Sequence, residues 1–318
     1  MRRPLLNWLA DNNRSPPDEK FQTSLPALAL VIGGLATPLT QAADTSLIDA
    51  VRAGKLAKVD ALIKDGTDPN QSNEDKSTAL LFAIGANKAV IARHLLEAGA
   101  DPSIANSRGW NALMVAAQTG DLPLLERFIK TGIDINAQTS ADWSALSLAA
   151  QNGRTDCVKA LIKAGANINV FTKDGFTPIM VAAHKGHTDT VEALLNAGED
   201  ANQKEAERET TSLILAATGN HVDTMKLLIS RGAKIDAKDK FGQTALIWSA
   251  WHDKYEAAKL LLEHGADPNI TNKEGKTALR FALHGGNSQL IKLLRDAGGN
   301  EGKDTSPVSP VSPAHQPL

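Results

Sequence analysis

Residues 172–204 read TKDGFTPIMVAAHKGHTDTVEALLNAGEDANQK, and this stretch decides the fold because a unit of the same design recurs across residues 45–300. Take the glycine near its end as a marker. Gly66, Gly99, Gly132, Gly165, Gly198, Gly232, Gly265 and Gly298 stand 33, 33, 33, 33, 34, 33 and 33 residues apart. A period of that size, held over seven intervals, is the sequence signature of a solenoid.

Within the unit, Thr177-Pro178 reads as a helix start. The hydroxyl can accept from an open first-turn amide, and proline at the first helical position gives up only an amide that had no partner. Ile179, Val181, Ala182 and Ala183 supply a buried side, with paired alanines where a neighbouring backbone comes close, and Gly186 ends a short helix. A second helix starts near His187, carries the apolar stripe Val191, Leu194 and Leu195, and stops at Gly198 through a left-handed cap. Asp200-Ala201-Asn202 and its equivalents carry turn chemistry and predict a hairpin-like connection to the next unit. One unit cannot bury both helices alone, so neighbours must stack.

On these residues the chain resembles the ankyrin repeat over about 256 of its 318 residues. The resemblance implies an all-α ankyrin-repeat solenoid of eight helix-turn-helix units with hairpin-like loops. The chain departs from the family pattern in having Thr-Pro only at Thr177-Pro178, with Thr-Ala at Thr78, Thr244 and Thr277. It also lacks the family histidine at that motif, where Leu81, Met114, Ser147, Met180, Ile214, Ile247 and Arg280 stand. These departures imply weaker hydrogen bonds between adjacent turns, with the fold unchanged.

The ends of the stack differ from its middle. Counting back from Gly66 puts Thr45 at the first helix start, and Asp49 then occupies a position that holds Val115, Leu148 or Val181 elsewhere, as an outward-facing acid on a terminal cap would. The sixth unit holds the single extra residue, within residues 205–209 (EAERE), which predicts one enlarged hairpin tip; its Gly219-Asn220 inverts the usual order, and asparagine tolerates the left-handed conformation. The eighth unit places Arg280, Lys292 and Arg295 on its helices, as a solvated closing cap would.

Residues 1–42 do not fit the repeat. Early arginines, the short apolar run LPALALVIGGL (residues 25–35) and the small residues around Thr40-Gln41-Ala42 read as a secretory signal with a long first region, cleaved before Ala43. By resemblance to bacterial export signals this places the protein in the periplasm, or secreted. The competing reading is a membrane anchor at residues 24–43, although the run is short for a span of about 20 apolar residues and is broken by Pro26, Gly33, Gly34 and Pro38. The domains are then residues 1–42 as signal, 43–300 as repeat domain and 301–318 as a Pro/Ser-rich tail expected to be extended and disordered.

Composition argues against several classes of function. A net charge of −2 and a pI near 6.5, with lysines and arginines scattered, give no electrostatic reason to expect nucleic acid. The lone Cys157 permits no internal disulfide and reads as packing on a second helix. His184 and His187 flank a helix-ending glycine and lack the rigid spacing of a helical zinc pair; His187 and His221 sit at ordinary second-helix starts. No phosphate loop, strand-linked glycine motif or Cys/His cluster is present, so no catalytic residue, metal or cofactor is expected. The recurrent Asp and Asn residues (Asp101, Asp134, Asn167, Asp200; Asn70, Asn136, Asn169, Asn202, Asn269) mark turn geometry.

The few aromatic side chains carry the functional reading. The ankyrin resemblance implies that partners dock on the concave surface made by hairpin tips and the exposed ends of first helices. Trp110, Trp143 and Phe176 precede helix starts in three successive units; they either line that surface or cover the edges of adjacent repeats. Phe171 and Phe241 fall on hairpins, while His184, Lys185, Trp251, His252 and His284 take the exposed first-helix ends. Trp248 falls on a core position. The expectation is a non-enzymatic scaffold, monomeric, that binds a protein partner through these side chains. The alternatives are a neutralising partner of a toxin or a stress-defence accessory protein, and a small-ligand carrier using the His/Trp surface.

Overall fold

Among the described residues, seven of the eight first helices begin where a short polar side chain holds an open amide. The computed structural model describes residues 46–303; the signal reading at residues 1–42 and the tail beyond Lys303 lie outside the described residues. In chain order the helix pairs are α1 (Leu47–Arg52) and α2 (Leu56–Lys64), α3 (Ala79–Gly85) and α4 (Ala89–Glu97), α5 (Ala112–Thr119) and α6 (Leu122–Lys130), α7 (Ala145–Gln151) and α8 (Thr155–Lys163). They continue as α9 (Pro178–His184) and α10 (Thr188–Asn196), α11 (Ser212–Thr218) and α12 (Val222–Ser230), α13 (Ala245–Trp251) and α14 (Tyr255–Glu263), α15 (Ala278–Gly285) and α16 (Ser288–Asp296). Odd-numbered helices pack in one row, even-numbered helices in a second, and the core runs unbroken between them.

The caps follow the sequence reading with two corrections. Thr78, Asn111, Ser144, Thr211, Thr244 and Thr277 each accept from the amide three residues on. Thr177 makes no such bond. With Pro178 in the first turn, α9 is capped from outside: Glu199 Oε1, twenty residues on, accepts from the Ile179 amide at 3.0 Å. The first helix starts at Ser46, one residue later than the count predicts, because Ser46 Oγ accepts from the Asp49 amide while donating to its carboxylate. Asp49 is exposed there, as expected for a terminal unit.

Between the helices of a pair the backbone turns left-handed. At Gly186 (φ 72°) an added Cβ would lie 2.4 Å from the His221 ring, so only glycine fits; at the same place one unit later Asn220 adopts φ 57°, as its inverted order predicts. That crowding has a purpose. His187 Nε2 donates to the Gln151 carbonyl at 3.1 Å and His221 Nε2 to the His184 carbonyl at 2.9 Å, while Lys88 Nζ and Arg154 Nε reach the carbonyls of Arg52 and Gln118. These side chains satisfy open carbonyls at the ends of the preceding first helices. The structural reading of both histidines holds.

The hairpins stack as tips rather than strands. Amides of Ser107, Ser140, Lys173, Lys240 and Lys273 each bond to a carbonyl one tip earlier, and among the described residues the only sheet features are isolated bridges. The extra residue sits where predicted. Tip positions 73, 106, 139, 172, 239 and 272 hold Asn, Thr or Asp, but the enlarged loop has Glu205, whose longer, buried side chain accepts from the amides of Glu207 and Arg208, the latter at 2.7 Å. The extra reach of glutamate matches the extra residue. Glu205→Ala leaves two amides without that acceptor and is expected to cost about 1–2 kcal/mol in urea unfolding; unchanged stability would mean that solvent serves those amides equally well.

The asparagines do more than turn the chain. Asn70, Asn136, Asn202 and Asn269 accept through Oδ1 from the amides of Asp101, Asn167, Lys234 and Asn300 in the following unit, so turn residues also tie neighbours together. Contacts with the eighth unit continue past residue 300. Arg280 pairs with Glu301 at 3.1 Å, the Thr277 hydroxyl donates to the Asn300 carbonyl, and the Lys303 amide donates to Gly275 O at 3.3 Å.

Candidate docking surface

The ten sequence-predicted contact residues separate into two groups by burial. Trp110, Trp143 and Phe176 are 6%, 3% and 7% exposed and belong to the core, so of the two readings the edge-covering one is right and these three are removed from the contact surface. Their backbones explain why. Each amide is held by the tip residue four positions earlier, Asn106, Thr139 or Thr172, which turns the ring inward beneath its own hairpin. Phe171, Phe241 and Trp251 remain exposed, at 42%, 37% and 39%. Lys185 and His284 are exposed, and His184 and His252 half-buried. Phe171, His184 and Lys185 are separated from Trp251 by the sixth unit.

The sequence reading missed the element that organises the exposed aromatics. Trp248, read as a core position, packs against the core but stays half-buried; Val115, Leu148 and Val181 hold its place in other units, and an indole is too large for the space a valine fills. Its Nε1 donates to Asp239 Oδ2 at 2.8 Å, and the other oxygen of that carboxylate accepts from the amides of Phe241 and Gln243. Burial raises the Asp239 pKa, and these three donors partly offset the shift. One buried acid thus fixes both the Phe241 tip and the Trp248 ring.

From that anchor the rings continue outward. Trp248 stacks on His252 with centroids 5.5 Å apart and planes 13° apart, and lies 6.3 Å from Trp251. Trp251 meets Phe281 of α15 at 4.8 Å, a tilted contact that sequence reading did not single out. Phe281 is readable in retrospect, because it holds the Trp248 position one unit later. The result is a strip of four aromatic rings across the seventh and eighth units, wide enough to anchor a partner with little loss of side-chain freedom.

Elsewhere the chemistry is quiet. Burial pushes the Cys157 thiol up to about 11, with Asp156 adding to the shift, so it stays protonated. Burial, then Lys185 and His221, hold His184 down to about 4, so its imidazole is neutral at pH 7. Among the described residues no group of three His, Cys, Asp or Glu side chains could hold a metal, and no helix is long and apolar enough to cross a membrane. A cavity of about 580 Å³ lies in the row of second helices, lined by Arg154, Lys159, Asp189 and Glu192 among others. None of the predicted contact residues lines it.

A stack of paired helices with projecting hairpin tips defines an α-solenoid. Family models for ankyrin repeats match residues 47–139, 113–205 and 197–272 (three copies) and residues 252–295 (many copies). The chain belongs to the ankyrin-repeat family. Among solved structures it is similar to the crystal structure of the human ASB11 ankyrin repeat domain, at 29% identity over 60% of this chain and 85% of that one, with a TM-score of 0.57. No curated protein matches the chain. Ankyrin repeats are in general protein-binding scaffolds.

Proposed function

We propose that this chain is a non-enzymatic scaffold of the bacterial periplasm that binds a protein partner through the face formed by its hairpin tips and first-helix ends. The observation that carries the reading is the strip Trp248, Trp251, His252 and Phe281, with Trp251 39% exposed and Phe241, on the tip that Asp239 holds, also exposed. Large aromatics held rigidly at a solvent-facing site are what interface anchors require. A preformed surface of this kind binds without ordering a loop, so recognition spends little on rearrangement. The export reading rests on the apolar run at residues 25–35 and the small residues before Ala43.

The test is capture from a periplasmic extract on the immobilised protein beside a Trp251→Ala, Phe281→Ala variant with an unchanged melting curve. A specific protein retained by the first and lost from the second is the expected result, with an amino terminus at Ala43 on the exported form. Identical retention by both would move the docking surface elsewhere.

A further inference from the structure

The aromatic strip has a positively charged border. Asp239 joins the two: its Oδ2 accepts from the Trp248 indole and its Oδ1 from the Phe241 amide, both at 2.8 Å, while its chain neighbours Lys238 and Lys240 are exposed. Backbone bonds carry the border to the adjoining tips. The Lys240 amide donates to the Arg208 carbonyl at 2.8 Å and the Lys273 amide to the Phe241 carbonyl at 2.9 Å, so Arg208, Lys240, Phe241 and Lys273 lie on three successive tips in direct contact. The place of Lys240 and Lys273 is taken by Ser107 and Ser140 in the third and fourth units. Some cations here are neutralised: Lys204 pairs with Glu209 and Lys276 with Glu274, each at 3.0 Å. Lys238 and Lys240 are held differently. Their Nζ atoms donate to the carbonyls of Thr271 at 3.4 Å and Glu207 at 2.9 Å, which fixes each ammonium group without cancelling its charge, and Lys240 Nζ stands 5.9 Å from the centre of the Phe241 ring. Across residues 204–210, 238–243 and 271–276, Arg208, Lys238, Lys240 and Lys273 stand outside any ion pair, and the one exposed acid in that condition is Glu207.

We propose that the partner presents an acidic protein segment bearing a large apolar side chain, the apolar group seated on Trp251 and Phe281 and the carboxylates on Lys238, Lys240 and Lys273. The inference rests on the reading of the strip as a docking surface and adds the chemistry of what docks there. Surplus positive charge beside rigid rings steers a segment of opposite sign to the strip and rejects a basic one. Separate carboxylates suit this border better than a continuous phosphate backbone does. Glu207, Glu274 and Glu301 are interspersed among the cations, and the chain as a whole carries a net charge of −2, so it offers no unbroken basic track.

The experiment titrates the full chain with a short capped peptide of Glu and Asp around one central Phe. The comparison probes are the same peptide with Lys for every acid, the same peptide with Ser for Phe, and a thymidine oligonucleotide. Binding is read from the indole N–H signals, assigned with Trp248→Phe and Trp251→Phe. The expected result is that the acidic Phe peptide shifts the Trp248 and Trp251 signals, leaves those of the buried Trp110 and Trp143 in place, and binds more weakly as salt is raised. A Lys238→Glu, Lys240→Glu, Lys273→Glu variant with an unchanged melting curve should bind it about tenfold more weakly. No binding of the acidic peptide, equal binding of any comparison probe, or an unchanged affinity in the lysine variant would overturn the proposal. Loss of partner capture on Trp251→Ala, Phe281→Ala with full capture by the lysine variant would sink this inference and leave the scaffold reading standing. Capture undiminished by both variants, with the acidic peptide bound as expected, would instead remove the captured partner from this face and leave the acidic-segment site in place.

Discussion

Trp143→Ala is expected to destabilise the protein by about 3–5 kcal/mol, the range for deleting a large buried aromatic side chain. Trp143 is 3% exposed, and its backbone is closed in a reciprocal pair with Thr139, the Trp143 amide donating to Thr139 Oγ1 at 3.1 Å and the Thr139 amide to the Trp143 carbonyl at 2.9 Å. It stands in the fourth of eight units. In a solenoid, stability is a sum of unit terms and nearest-neighbour interface terms, so damage in the middle weakens the coupling between the two ends as well as the local core. Urea unfolding should therefore show a lower midpoint and a transition broadened or split into two, since the single-transition approximation fails when neighbouring units unfold separately. Trp251→Ala is the control: it removes an exposed side chain and its tilted contact with Phe281, an effect of about 1 kcal/mol. If Trp143→Ala left the transition where it was, the ring would have to lie at the surface.

The contrast between those two tryptophans marks the boundary of what the sequence reveals. Period, helix starts and left-handed turns were legible because each depends on a residue's own backbone chemistry: Gly186 and Asn220 adopt the same turn for reasons internal to glycine and asparagine. The enlarged tip was legible as a change of spacing at residues 205–209. Burial of an aromatic side chain is set by neighbours instead. Trp143 and Trp251 both occupy positions that could face a partner, and only the packing of adjacent units separates them. Trp248 meets the core but is only half-buried, because its equivalents in other units are buried valines and leucines, and a shared position carries no information about volume. Glu199 was overlooked although a signal existed: Ala100, Ala166, Ala233 and Ala266 hold the same place in other units and are buried. A lone acid in a column where four of the seven other residues are buried alanines announces a buried carboxyl. Its role as the external cap of α9 required coordinates, since Thr177-Pro178 reads locally as self-sufficient.

Glu199 also yields the clearest dependence of stability on pH. Burial raises its pKa from 4.5 to about 7, partly offset by the hydrogen bond from the Ile179 amide. Below pH 4.5 the carboxyl is neutral in both folded and unfolded chains and costs nothing. Between pH 4.5 and 7 the unfolded chain releases the proton first, so stability falls as pH rises; above 7 the full cost, about 3 kcal/mol, is in place. His184 acts in the opposite sense. Its pKa falls from 6.5 to about 4, so below 6.5 the unfolded chain takes up a proton that the folded one refuses, and stability drops by a similar amount on descending to pH 4. Burial of His187 adds to the histidine side and burial of Asp239 to the carboxyl side. The two slopes oppose each other between pH 4.5 and 6.5, and the native protein should show a nearly level stability there. Glu199→Gln keeps an oxygen for the Ile179 amide and cannot ionise. The difference between variant and native protein isolates this one group: close to zero at pH 4.5, growing through pH 6, and reaching about 3 kcal/mol in favour of the variant at pH 8. Urea unfolding of both proteins at those three values measures it. A difference that stayed constant with pH would mean that the Glu199 carboxylate reaches water in the folded state, and that α9 is capped by something other than a buried acid.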